Sequence, residues 1–387
     1  MKQHICVLLS LLMYLCCNSQ PIEVEKRIEN GVEVIVNHLK PYKIEGESSN
    51  LSLEKELSID TEKDEVAELG IPDIQGFDVD SDGNIYIFIP SRVRDNLIYK
   101  FDGDGTFLTS FAPRGQGPGE IQHAAYLRIT ENEEIPVVDT NGLKLVYFNK
   151  DGDFLRETKL PFKLTVNGYV CPLENGNYLA DHIEGELRQI GEGLPKEGVQ
   201  RALSLFDSDF SWIKYISLMH YSSQLLDMRS PHMLPVRSWK VSDGRIFFGT
   251  SRRGYEICVF DLNGNIIRKI KKEYKPVRFP KDLREEWEGR NRAVPDVQPP
   301  FQRLFFTDDE GRLFIMTFEK GLNPNEYIFD IFNSDGVFVE SVSLDAFVRR
   351  SANVLPLYAT AKNKRLFCLR EKENGYKELV VNKMIWE

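Results

Sequence analysis

Arginines in segments that follow strand-like runs are the residues that most suggest a function in this sequence. Arg252 and Arg253, for example, come directly after Phe247-Phe248-Gly-Thr-Ser. A planar guanidinium can hold a carboxylate or a sulfate through two parallel hydrogen bonds. We therefore predict a binding mouth for an anionic or sugar-like ligand; the alternative is that these arginines are ordinary surface residues. The ligand-binding candidates are Arg92, Arg114, Asp139, Arg237, Arg252 and Arg253.

Catalytic signatures do not accompany these arginines. The sequence contains no GxSxG nucleophile elbow and no Walker phosphate loop. The histidines are scattered, without HxH or HExxH spacing. His123, His182 and His232 nevertheless fall in predicted loops on one side of the molecule, where a metal ion could meet them. The sequence therefore names no catalytic residue, no metal ligand and no cofactor.

Two short motifs resemble ion-binding loops but lack required residues. Asp78-Val-Asp-Ser-Asp-Gly83 begins like a calcium loop, yet position 12, where an EF-hand needs Glu, is Ile89. Gly115-Gln-Gly-Pro-Gly119 resembles a phosphate loop, but Pro118 has no backbone donor and a strand, not a helix, follows. We interpret the first as a hairpin turn and the second as a sharp connection between sheets.

Six similar units occupy most of the chain. Each unit contains a strand, an Asp, Asn or Gly hairpin, a second strand, a loop, a third strand, and in most units a second hairpin and a fourth strand. Alternating Val, Ile, Phe and Tyr predict strands with one buried face. Antiparallel four-stranded repeats of this length are typical of β-propeller blades. The units begin near Phe77, Leu127, Gly168, Trp239, Leu304 and Leu357. The sequence predicts an all-β, six-bladed propeller.

The last unit lacks an outer strand, and the segment before the first unit can supply it. Residues 51–60 alternate apolar and polar side chains, so we expect them to close the ring within a propeller domain at 51–387. The alternative is a seven-bladed ring that uses Val32–Asn37. A lid-like insertion is expected at 275–303, with a short helix capped by Asp282 and Glu285. Beneath it, Arg114, Arg252 and Arg253 are expected to converge.

The amino terminus predicts export. Residues 1–16 read as a signal peptide, because their apolar run is shorter than the ~20 residues that span a bilayer. Cys17 is the predicted lipidation site, with Cys16 and an unlipidated signal as alternatives. Residues 17–50 are expected to form a tether and lead-in. Three further cysteines are Cys171, Cys258 and Cys368, and none belongs to a CxxC pair. Cys258 and Cys368 lie in apolar strand-like runs and are predicted to be buried thiols rather than metal ligands or a disulfide framework.

A family resemblance rests on one blade and on the series of repeats. Phe111-Ala-Pro-Arg-Gly-Gln-Gly-Pro-Gly-Glu120, followed by Val137-Val-Asp-Thr-Asn-Gly142 and Leu145-Val-Tyr-Phe-Asn-Lys-Asp-Gly152, resembles an NHL repeat. The whole chain is similar to the six-bladed propeller lipoproteins of Bacteroidetes-type bacteria. That resemblance implies an exported propeller, and related propellers include binders, scaffolds and a few lyases or lactonases.

Together these observations predict a lipid-anchored propeller in the outer membrane or periplasm. We expect a ligand-binding or protein-interaction module whose partner is a small ligand, a glycan, a peptide or an envelope protein. A metal-assisted lyase or lactonase is the alternative, and the sequence favours a non-enzyme without deciding the question. The net charge of −10 argues against nucleic acid, which needs a concentrated basic surface. Membrane contact is expected only through the anchor.

Overall fold

The computed structural model describes residues 24–71, 73–89, 95–164, 169–184, 199–221, 235–289, 294–323, 325–345 and 359–387. Within these ranges the chain forms 26 strands in six sheets. Helical structure in the described ranges comprises Asp64–Glu68, Lys281–Glu288 and a 3₁₀ turn at Ser251–Arg253. No helix there is long and apolar enough to cross a membrane.

Each sheet is one blade, and consecutive strands run from the centre of the ring outward. Before the first blade lie β1 (Glu25–Glu29), β2 (Val32–Asn37) and β3 (Leu51–Asp60). Blade one contains β4 (Gly76–Val79), β5 (Ile85–Phe88), β6 (Asn96–Phe101) and β7 (Phe107–Pro113). Blade two contains β8 (Ala124–Leu127), β9 (Ile135–Asp139), β10 (Lys144–Phe148) and β11 (Phe154–Lys159). Blade three contains β12 (Val170–Pro172), β13 (Tyr178–Glu184), β14 (Val199–Phe206) and β15 (Trp212–Tyr221).

The second half of the ring repeats this arrangement. Blade four contains β16 (Arg237–Ser242), β17 (Arg245–Thr250), β18 (Glu256–Asp261) and β19 (Ile266–Lys272). Blade five contains β20 (Phe305–Thr307), β21 (Leu313–Lys320), β22 (Glu326–Phe332) and β23 (Phe338–Asp345). Blade six contains β24 (Ala359–Lys362), β25 (Arg365–Glu371), β26 (Lys377–Trp386) and, as its outer strand, β3.

The ring closes by pairing the two ends of the propeller. β3 lies antiparallel to β26, from Leu51 opposite Trp386 to Asp60 opposite Glu378. This pairing confirms the predicted closing strand and the six-bladed architecture. It removes a sheet edge that would otherwise be open to another chain.

The segment before the closing strand differs from the prediction. β1 and β2 form a hairpin, and β2 pairs in parallel with β19, so the sheet of blade four has six strands. Val34 and Ile35 are fully buried there. The seven-bladed alternative is therefore wrong, and so is the tether interpretation for residues 25–37. The alternating pattern of Val32–Asn37 indicates a strand, but it does not indicate the partner strand β19, which is more than 200 residues away in sequence.

Residues 38–50 then cross the outer side of blade five. The amide of Tyr42 donates a hydrogen bond to the carbonyl of Phe338 at 2.8 Å, and the side chain of Asn333 donates to the Glu47 carboxylate at 3.0 Å. Asn37, fully buried, donates to the carbonyl of Gly336. We call residues 25–50 the amino-terminal strap, because they connect blade four to blade six across blade five.

One side-chain device recurs in the hairpins of the blades. In seven hairpins the first residue of the turn is Asp or Asn, and its Oδ1 accepts hydrogen bonds from the amides two and four residues later. The device occurs at Asp80, Asp102, Asn149, Asp207, Asp261, Asp308 and Asn333. The oxygens of Asp80 also accept from Asn84 and Tyr86, so the motif resembling a calcium loop forms the predicted hairpin turn.

Apolar side chains are buried between blades rather than in one central core. Six clusters each join neighbouring blades; for example, Cys171 and Leu203 of blade three pack with Phe248 and Phe260 of blade four. Middle strands are covered on both faces, so all five residues of β10 are buried, whereas β11 at the outside is mostly exposed. The blades therefore stabilise one another through side-to-side burial.

The ring has two faces with different loops. We call the face with the connections between blades and between second and third strands the upper face. The lower face carries the hairpins between first and second strands and those between third and fourth strands. The predicted ligand-binding residues that the structure describes belong to the upper face or its edge.

Candidate functional site

The predicted arginines do not all come together. Arg92 lies outside the described residues, as does Cys17. Arg114 is exposed in the connection from blade one to blade two, where its amide donates to the carbonyl of Asp95. Arg252 is exposed in the 3₁₀ turn of blade four, across the ring from Arg114. The expected convergence of Arg114 with Arg252 and Arg253 is therefore wrong, because sharing a face does not place two loops at the same angle around the ring.

Asp139 has a structural position. It is fully buried at the end of β9, and its carboxylate accepts hydrogen bonds from four backbone amides. The donors are the amides of Gln122, His123, Asn141 and Gly142, at 3.0–3.2 Å. These bonds join a loop within blade two to the connection that enters it. The carboxylate oxygens are thus occupied by the backbone and are not presented to a ligand.

Arg237 occupies a different environment. It is the first residue of β16, its cross-strand partner is Thr250, and its side chain enters the upper end of the crevice between blades three and four. Only 7% of that side chain is exposed. The guanidinium nitrogens of Arg237 have no hydrogen-bond partner in the described part of the chain, and the Thr250 hydroxyl has none there either. Buried donors without acceptors are rare and costly in proteins.

The nearest carboxylate is shared with a second arginine. Asp181 of β13 accepts two hydrogen bonds from Arg201 of β14, at 2.9 and 2.8 Å. Arg237 Nη1 lies 3.9 Å from Asp181 Oδ1, beyond hydrogen-bond distance. The upper end of the crevice therefore holds two guanidiniums for one carboxylate, with the surplus charge on Arg237.

Arg253 lies at the rim of the same crevice. Its guanidinium lies 3.6 Å from the carboxylate of Glu256 and 3.4 Å from the Cys258 thiol. Burial raises the pKa of Cys258, so this thiol is neutral at ordinary pH. Cys258, Cys171 and Cys368 are all free and buried, which confirms the prediction for Cys258 and Cys368.

Histidines do not form a metal centre in the described ranges. His182 is buried on the side of blade three that faces blade two, and its Nε2 lies 2.9 Å from the Ser204 hydroxyl. Burial lowers the pKa of His182, so the ring is uncharged at neutral pH. His232 lies outside the described residues. Over those that are described, no three His, Cys, Asp or Glu side chains are placed to hold a metal ion.

The described parts of the insertion, 275–289 and 294–303, lie beside blades four and five, where Phe301 packs with side chains of both blades. Its helix Lys281–Glu288 confirms the predicted short helix, but the cap is Pro280 without a side-chain hydrogen bond, so the predicted Asp282 cap is wrong. Trp287 is buried against Phe279, with ring centroids 5.3 Å apart.

A small pocket lies beside this insertion, between blades four and five. Its polar groups bind one another: Lys272 lies 3.3 Å from Asp330, and the Tyr255 hydroxyl donates to Asp330 at 2.7 Å. Lys272 also lies over the Phe338 ring, 4.3 Å from its centroid. Because these groups satisfy each other, this pocket offers a ligand less than the crevice at Arg237 does.

The sequence names Arg237 as a candidate but not the residues around it. Asp181, Arg201 and Thr250 were not among the candidates. A signal existed for Asp181, because a charged residue inside the apolar strand Tyr178–Glu184 must be paired when that strand is buried. Arg201, which binds it, lies on the next strand of the same blade, whereas the approach of Arg237 depends on the crevice between two blades, which a strand pattern does not contain.

Comparison with known proteins supports the fold. A family model described as "6-bladed beta-propeller" matches residues 74–188. No curated protein matches the sequence. Among solved structures, the chain is similar to a Bacteroides fragilis protein whose name calls it exported, with 13% identity, a TM-score of 0.53, and 91% of this chain and 99% of that chain covered.

A second solved structure gives the same result. A member of the DUF4221 family from Bacteroides vulgatus is 13% identical over 88% of this chain and 99% of that chain, with a TM-score of 0.54. Similarity at this level of identity shows the fold alone. The six sheets, the family model and these structures together identify the chain as a six-bladed β-propeller.

Proposed function

We propose that this propeller is a binding protein that holds a carboxylate or sulfate group of its ligand at the upper end of the crevice between blades three and four. The observation that carries the proposal is the buried Arg237 guanidinium, whose nitrogens have no acceptor among the described residues. A guanidinium is a fork of donors that fits two oxygens of one anion.

The charges around Arg237 support an anion rather than a neutral ligand. Asp181 is already bound by Arg201, so it neutralises only part of the positive charge in the crevice. An incoming carboxylate or sulfate would supply the missing acceptors, and the Thr250 hydroxyl beside it would donate a further hydrogen bond. Such charge-assisted bonds are about twice as strong as neutral ones.

Exposed arginines above the crevice would assist by attracting the ligand. Arg252 and Arg253 lie in the loop that follows β17, the strand that carries Thr250. Because both are solvent-exposed, we assign them a role in the rate of association, which falls with ionic strength, rather than in the strength of the final complex.

The location of the protein belongs to the same proposal. We propose that it is exported and anchored through Cys17, which places the binding face in the cell envelope. The signal-like residues 1–16 support export, and the name of the B. fragilis structure agrees with it. In that compartment an acidic glycan, or a peptide carrying a free carboxylate, has the required chemistry.

A ligand screen with matched variants tests the proposal. Acidic and neutral oligosaccharides and peptides are offered to the wild type, to Arg237→Gln and to Arg114→Gln, an exposed arginine of the same face. We expect acidic ligands to bind the wild type and Arg114→Gln alike, and to bind Arg237→Gln at least ~30-fold more weakly, since truncating one side of a buried charged pair costs about 2–5 kcal/mol. A preference for neutral ligands, or equal binding by Arg237→Gln, would contradict the proposal.

A further inference from the structure

A second group of cations lies in the central channel, away from the crevice. Three cations lie in or directly after inner strands: Arg128 follows the inner strand of blade two, and Lys240 and Lys362 lie in those of blades four and six. Arg128 extends across the channel, with Nη1 2.8 Å from the Cys171 sulfur and Nη2 3.2 Å from the Val241 carbonyl. Lys362 Nζ donates to the carbonyl of Val79 at 3.0 Å. Lys240 belongs to the same group, because Arg128, Asp78 and Lys362, which come from three other blades, all act on the pKa of its amine.

These cations have no anionic partner within ion-pair distance among the described residues. Arg128 and Lys362 donate only to a sulfur and to backbone carbonyls in the described part of the chain. The one carboxylate among them, Asp78, accepts from the amides of Val79 and Ile129 instead. Three cations therefore face one carboxylate inside the channel, and the backbone already holds that carboxylate, so positive charge is in excess there.

The charges in this group act on one another. Burial, followed by the nearby Arg128 guanidinium, lowers the pKa of Lys240, and Lys362 acts in the same direction. Asp78 opposes this effect without cancelling it. An amine with a lowered pKa beside two further cations gains most from an anion that enters the channel.

The lower mouth of the channel has the opposite charge. Glu131, Glu174 and Asp243 come from the hairpins of blades two, three and four, and burial together with Glu174 raises the pKa of Glu131. These carboxylates repel an anion that approaches from the lower face, while the Glu131 charge acts on Arg128 from below. Access for an anion is therefore from the upper face.

We propose that the central channel binds a doubly charged oxyanion, either a free ion or a terminal sulfate or phosphate group, between Arg128, Lys240 and Lys362. A dianion matches the uncompensated charge, and its several oxygens accept from donors on three different blades. This site is separate from the one at Arg237, so either can exist without the other.

Sulfate is the probe for the test because it keeps its charge across the pH range used. Sulfate is titrated by calorimetry at constant ionic strength, from pH 7 to pH 10, into the wild type, Lys240→Met and Lys240→Arg. Binding to the channel favours protonated Lys240, so we expect affinity to fall by up to tenfold per pH unit above the pKa of that amine. Lys240→Met loses this site, whereas Lys240→Arg binds without the fall, because a guanidinium stays charged.

Controls separate the two sites and the two sources of the anion. Arg237→Met removes any sulfate bound in the crevice and leaves the pH-dependent component unchanged. Glucose 6-phosphate, compared with inorganic phosphate at one pH, shows whether a group attached to a larger molecule can enter. A melting curve for each variant confirms that it folds. A wild type without the pH-dependent component, or a Lys240→Met protein that retains it, would overturn the channel site and leave the crevice untouched.

Discussion

Arg237→Met should make the unliganded protein more stable, although it removes a charged group from a buried ion pair. At 3.9 Å and an effective dielectric constant of ~20, the attraction between Arg237 and Asp181 is about 4 kcal/mol. Two costs oppose this attraction. The transfer of a guanidinium from water costs several kcal/mol, and each donor left without an acceptor costs about 1–3 kcal/mol. The costs exceed the attraction.

Asp181 is not left alone in this variant, because Arg201 still binds it through two hydrogen bonds. Methionine also retains most of the apolar stem of arginine, so little packing is lost. We therefore expect the free energy of unfolding to rise by about 1–3 kcal/mol, which raises the melting temperature by several degrees.

The assay is thermal and chemical unfolding of the wild type and three variants in buffer free of multivalent anions. Arg114→Met is the control for an exposed arginine and should change stability by less than about 0.5 kcal/mol. Arg201→Met is the control for the bonded partner of Asp181 and should destabilise by about 3–5 kcal/mol. If Arg237→Met lowered stability by more than ~1 kcal/mol, Arg237 would be a folding residue, and its role as a ligand anchor would lose its physical basis.

Other perturbations give outcomes that do not depend on the ligand. Asp181→Asn should cost about 3–5 kcal/mol in unfolding experiments, since two guanidiniums lose their carboxylate, and sulfate should restore part of the loss. Asp139→Ala should lower the melting temperature by several degrees, because four backbone amides lose their acceptor; an unchanged value would contradict that structural role. Deleting residues 24–37 should destabilise the ring by exposing the edge of β19 that β2 covers, whereas truncation through Asp60 should prevent folding, and circular dichroism distinguishes the two. Cys17→Ala should move the protein from the membrane fraction to the soluble envelope fraction, and retention in membranes would refute the anchor.

The repeats made the fold predictable, because each blade carries its own local signals. Asp or Asn followed by Gly specifies a turn through contacts within five residues, and alternating side chains specify the strands. The closing strand could be predicted because the sixth unit lacked one and residues 51–60 had the right alternation. In each of these cases the information lies in neighbouring residues.

What could not be predicted depends on contacts distant in sequence. Val32–Asn37 has the pattern of a strand, but nothing in it specifies parallel pairing with β19. Arg114 and Arg252 both belong to upper-face loops, yet their separation around the ring depends on the order of the blades. Arg237 of blade four carries a surplus charge because Asp181, on the neighbouring blade three, is already bound by Arg201 of that blade. Sequence patterns indicate which residues are unusual, while the crevice determines which of them meet.

The amino-terminal strap has a mechanical consequence. Tension that reaches the propeller through its amino-terminal end is carried first by β1 and β2 on blade four, and only afterwards by β3, whose pairing with β26 holds the ring together. Between them, the hydrogen bonds of Tyr42 and Asn333 attach the intervening chain to blade five. A pull on a tether would therefore detach the hairpin and the crossing segment in sequence before it loaded the ring closure. In this arrangement the strap would detach first under force, while the blades and the faces they present would keep their shape.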